Sequence, residues 1–155
     1  MRLGSATLLS LVATLGVTTA AADPAKEPGA ASASCEVVEV GATTEKAPSI
    51  DPTLEKLSAR LKRVLGGHNT YRQLSRQTTQ LAKLKPETLA LKNGKVNVML
   101  RDRAKSHFEV TISLDDGGGK RWVDNTKAAV DGGDWLMFAH DAPNNAAHLV
   151  ALTCK

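Results

Sequence analysis

Two histidines, His140 and His148, bracket a loop near the end of the chain, and Asp141 directly follows the first. Imidazole nitrogens and carboxylate oxygens are the donors that hold zinc and similar divalent cations. If the flanking segments form a hairpin, positions 140 and 148 face each other. The spacing therefore marks His140, His148 and Asp141 as candidate metal ligands. They are also the candidate centre of a small metal-dependent or hydrolytic enzyme. No HExxH motif accompanies them, and no third firm ligand stands nearby. His68 and His107 are isolated.

Other catalytic patterns are missing. There is no GxSxG, and Ser75, Ser106 and Ser113 have no recognisable partner spacing. Asp115-Asp116 and the Asp131/Asp134 pair lack the alternating ligands of a calcium loop. Gly117-Gly118-Gly119-Lys120 lacks both the leading glycine and the Ser or Thr of a phosphate loop. No cofactor is expected.

The two cysteines, Cys35 and Cys154, carry a different chemistry. Met1 to Ala22 reads as an export signal, with Arg2, an apolar stretch from Ala6 to Val17, and the small residues Ala20-Ala21-Ala22 at the cleavage site. Export to the periplasm or beyond removes the reducing cytosol. The two thiols are then expected to pair and tie the ends of one domain. Neither has the CxxC spacing or the local basic cluster of a reactive thiol.

Cleavage after Ala22 leaves 133 residues, enough for one domain with a real core. No later stretch approaches the roughly 18 apolar residues of a spanning helix, so no transmembrane segment is expected in the mature chain. Residues 51–85 hold eight bases against Asp51 and Glu55. Lys56, Arg60, Lys62, Arg63, Arg72 and Arg76 are the candidate binding face, with Lys83 and Lys85 extending it. Such a face steers anionic partners: an acidic envelope or extracellular protein, an acidic polysaccharide, or lipid headgroups. The scarce aromatics sit mostly among strand-like apolar residues, which argues against a nucleic-acid or sugar stacking platform.

These residues need a frame. Residues 23–34, rich in Ala, Pro, Gly and Ser, read as a disordered leader. Residues 35–155 read as a single β-rich domain. Cys35 to Val40 is the first strand. Asp51 and Pro52 open a helix over 51–66, with Leu54, Leu57, Leu61 and Val64 as its apolar stripe and Gly66-Gly67 as its stop. Residues 70–84 fit a long exposed strand better than a second helix. Asn93-Gly94 is a tight-turn pair between alternating segments. Residues 101–106 read as a polar turn and 115–119 as a glycine-rich one. Ala128 to Val130 either continues the strand from Trp122 or forms a short one. His148 to Cys154 is the last strand. About eight strands and one helix predict an antiparallel β-sandwich or partly open barrel, with the helix packed on it.

The order of exported leader, Asp51-Pro52 helix and β-rich half ending at Leu149 to Thr153 is similar to small exported proteins of unassigned function from myxobacteria-like bacteria. That resemblance implies an envelope or secreted setting and no particular activity. The expected function is a non-catalytic binding module, with the His140/His148 enzyme as alternative. A secreted protease inhibitor presenting loop 141–147 is a third reading.

Overall fold

The computed structural model describes residues 31–155. The expected export signal, and the expected leader up to residue 30, lie outside the described residues.

Nine strands are described. They are β1 (Ser32–Thr43), β2 (Ser49–Ile50), β3 (Thr70–Ala82), β4 (Pro86–Leu91), β5 (Gly94–Ala104), β6 (His107–Asp116), β7 (Arg121–Asp131), β8 (Leu136–Ala142) and β9 (Ala146–Cys154). A 3₁₀ turn (Pro52–Leu57) runs into a short helix, α1 (Ser58–Val64). The strands form two sheets, ordered β2-β3-β1-β9-β8 and β4-β5-β6-β7. All pairings are antiparallel except the short β2–β3 contact. The fold is a β-sandwich with one helical segment packed on it.

Strand alternation builds two separate cores. Val37 of β1, Val96, Val98 and Leu100 of β5, Phe108, Val110, Ile112 and Leu114 of β6, and Val150 and Leu152 of β9 point between the sheets. The intervening residues Val38, Val40, Leu149 and Ala151 face outward and are covered by Leu54, Leu57, Leu61 and Leu65. Thus the middle of β1 and most of β9 are buried on both faces, and β9 reads as a nearly continuous apolar run over Leu149-Val150-Ala151-Leu152.

Three boundaries and one position of the apolar stripe differ from expectation. β1 begins at Ser32 rather than Cys35, because Ser32, Ala33 and Ser34 pair with Ala82, Leu81 and Gln80. The helix over 51–66 opens as a 3₁₀ turn. Asp51 caps it, its Oδ1 accepting the Thr53 N–H at 3.0 Å. In 3₁₀ geometry residues three apart eclipse, so Leu54 and Leu57 share one buried side. Val64 is 47% exposed, and Leu65 takes its place in the apolar stripe. β5 runs to Ala104, so the polar turn shrinks to Lys105 and Ser106, with Lys105 at φ 57°. Residues 70–82 form the long strand expected, and Ala128 to Val130 continue β7.

Cys35 and Cys154 are direct register partners on β1 and β9 and form the expected disulfide.

Candidate functional site

Two places in the molecule gather polar chemistry. The first lies between the sheets. β1 contributes Glu39, which follows Cys35 and Val37 on the inward-facing alternation and is fully buried. Its register partner on β3 is Ser75, whose hydroxyl donates to Glu39 Oε2 at 2.6 Å. The β4–β5 turn of the opposite sheet delivers two backbone donors. The Lys92 N–H reaches Oε2 at 2.7 Å and the Asn93 N–H reaches Oε1 at 2.8 Å. His148 Nε2 completes the set, 2.8 Å from Oε1.

Each carboxylate oxygen thus receives two donors, which fills its acceptor capacity. Burial by itself would raise the Glu39 pKa. The bonds from His148, then Ser75, then the two backbone N–H groups outweigh it and hold the pKa at about 2. Glu39 is therefore ionised, and His148 must carry its proton on Nε2. His148 Nδ1 lies 3.0 Å from His140 Nε2. With both rings neutral, His140 donates that bond. His140 and His148 are direct partners across the β8–β9 hairpin. Burial, and then the neighbouring His148, keep His140 below the ordinary imidazole range, against smaller upward pulls from Asp116 and Asp141. Trp122 of β7 lies over His140, ring centres 4.2 Å apart at 36°, and its edge reaches His148 at 6.0 Å.

The hairpin brings His140 and His148 together as the spacing suggested, but not around a shared cation. Both nitrogens of His148 are engaged, and only Nδ1 of His140 is left. Asp141 follows His140 on the strand, so it points to the opposite face, where it is exposed. Among the described residues no group of three or more His, Cys, Asp or Glu side chains is placed to hold a metal ion. Ser75 donates to the buried carboxylate rather than to an imidazole, so it does not form a Ser–His nucleophile pair with His148. The cluster is a saturated clasp that joins the two sheets. Loop 141–147 is also shorter than expected. The strands leave only Pro143, Asn144 and Asn145 between them, with both asparagines in the left-handed region.

Sequence reasoning missed Glu39. Its one signal is a charged residue at an inward position in the run Val37-Val38-Glu39-Val40.

The second place is a cleft of about 660 Å³ on the outer face of the five-stranded sheet. It opens where the 3₁₀ turn stops short of covering β1, β3 and β9. Its floor carries Glu36, Arg76, Gln73 and Thr78, and its walls include Lys56 and Trp135. Arg76 organises the floor. It pairs with Glu36, donates from Nε to Gln73 Oε1 at 2.8 Å and from Nη2 to the Thr53 carbonyl at 2.9 Å.

The predicted basic face is divided. Lys56 and Arg76 line the cleft. Arg60 pairs with Asp134 and donates to the Trp135 carbonyl at 3.3 Å, so it braces the cleft wall. Lys62 and Arg63 on α1 and Arg72 on β3 are exposed. Of the two isolated histidines, His107 Nδ1 meets Asp131 at 2.8 Å, and His68 Nε2 meets the Asn145 carbonyl at 3.2 Å.

No protein-family model matches the chain, and no curated protein is similar to it.

Proposed function

We propose that this chain is an exported, non-catalytic binding module of the bacterial envelope or secreted space, and that it holds its partner in the cleft beside the 3₁₀ turn. The observation that carries this reading is the cleft itself. It has the volume of a small-ligand or polymer-segment site. Its polar groups are fixed by Arg76 on strands of a disulfide-tied sandwich, and a rigid, preorganised floor lowers the ordering cost of binding. Outside the cleft, the exposed Lys62, Arg63 and Arg72 supply a diffuse positive field that favours approach to anionic envelope surfaces.

The His140/His148 pair supports stability rather than turnover in this reading, because its hydrogen bonds are spent within the clasp. The test is affinity capture from envelope extract and culture fluid with the oxidised mature protein, run beside a Thr78→Trp variant that fills the cleft. The expected result is a partner retained by the parent and lost with the variant. Equal retention by both would overturn the reading.

A further inference from the structure

The cleft is lined by nearly balanced charge. Glu36 and Glu55 stand against Lys56, Arg76 and Lys155, and the guanidinium of Arg76 is already committed to Glu36, Gln73 and the Thr53 carbonyl. Asp51, which also helps fix β3 through the Gln73 N–H at 3.4 Å, adds negative charge beside Arg76. Among the lining residues, Lys56 and Lys155, set against Glu55, are the cations a polyanion would meet outside that network. The exposed cations that remain, Lys62, Arg63 and Arg72, are not among the cleft-lining residues.

An extended peptide is also a poor match. The floor is the face of a sheet whose central strands β1 and β9 are paired on both sides. Their backbone groups are spent within the ladders, so the amides of a docked peptide would find no matching row of partners. A ligand must be read by side chains alone. Those side chains are mixed donors and acceptors: a carboxylate, an amide, a guanidinium and a threonine hydroxyl. Half-buried Trp135 stands among them. Sugar hydroxyls donate and accept at once, and a pyranose ring presents an apolar C–H face that suits an indole.

We infer that the cleft takes a segment of an uncharged polysaccharide, with Trp135 against a ring face and Glu36, Gln73 and Thr78 bonding to its hydroxyls. This rests on the reading of the cleft as the binding surface and names the ligand class for it.

The experiment is an NMR titration of the oxidised mature protein. The uncharged probes are oligosaccharides of glucose, mannose, galactose and N-acetylglucosamine. Polygalacturonate and dextran sulfate serve as polyanions. The expected result is that an uncharged oligosaccharide shifts the Trp135 indole N–H and the Gln73 and Thr78 amides. Its affinity should change less than about twofold between about 50 mM and about 500 mM salt. Trp135→Ala should weaken binding about tenfold or more. Trp135 also packs against the outer core, so Gln73→Ala, which leaves that packing intact, should weaken binding in the same direction.

A salt-sensitive polyanion response at the same resonances would overturn the sugar assignment and leave the cleft as the binding site. A sugar response confined to other surfaces would overturn both. No response at Trp135 to any uncharged probe would overturn the sugar assignment. In that case the captured partner, tested against Thr78→Trp, decides whether the cleft itself binds.

Discussion

Glu39 and His148 are 109 positions apart in the chain and meet at 2.8 Å between the sheets, one fully buried and the other nearly so. A buried carboxylate without partners would cost several kcal/mol, so its four donors are a condition for this packing. Two of those donors come from the β4–β5 turn, which makes the residue a tie between layers. Glu39→Ala removes the charge but strands four donors. It should lower the free energy of unfolding by about 3 kcal/mol. Urea denaturation measures this, and a loss under about 1 kcal/mol would show that the clasp is not a stabilising tie.

The same cluster sets the acid sensitivity. The Glu39 pKa is depressed to about 2 from an ordinary value of 4.5. Its contribution is complete above the unfolded value and is lost as pH falls from about 4.5 toward about 2. His140 is depressed below the usual imidazole range. The unfolded chain therefore binds its proton first, and stability also falls as pH drops below about 6.5. Both groups act in one direction. Thermal melts should show a first decline below about pH 6.5 and a steeper one below about pH 4.5. His140→Gln should remove the first and spare the second. A wild-type melting temperature flat from about pH 7 to about pH 5 would contradict the His140 assignment.

The disulfide closes a loop with a sequence separation of 119. The chain-entropy account gives a stabilisation of about 5 kcal/mol as an upper figure. Reduction should lower the melting temperature by many degrees without abolishing the sheets, because β1 and β9 pair over eight register positions. Calorimetry with and without a phosphine reductant measures the shift. An unchanged melting temperature would show that the bond adds nothing to the native pairing.

Gly94 follows the turn that feeds Lys92 and Asn93 to Glu39. Its φ is +146°, and a Cβ there would lie 2.0 Å from the Asp115 carbonyl oxygen. Gly94→Ala should cost about 2 kcal/mol or more and disturb the clasp together with the turn. Hydrogen exchange at the Lys92 and Asn93 amides reads this directly. Unchanged protection would mean the turn tolerates the side chain.

Much of this frame was legible in local pattern. Alternation in Val96-Asn97-Val98-Met99-Leu100 marked β5, Asn93-Gly94 marked its turn, and the two cysteines marked the closure. The hairpin reading placed His140 opposite His148. The rest depends on contacts across layers. Nothing near Glu39 in the sequence announces that its donors come from positions 75, 92, 93 and 148. The basic face looked like one surface because charge was counted along the chain. In space Glu36 and Asp134, far from it in sequence, neutralise Arg76 and Arg60. The cleft has no local signature, since it exists only where the 3₁₀ turn ends over three strands.

The central claim is that the cleft beside the 3₁₀ turn is the binding surface. Calorimetric titration of the captured partner, or of the responding oligosaccharide, into the parent and Thr78→Trp proteins tests it most directly. Thr78 is exposed on β3, so the variant is expected to keep the parent's melting temperature. Binding to the variant is expected to fall by about tenfold or more, equivalent to at least about 1.4 kcal/mol. Equal affinity for both folded proteins would contradict it.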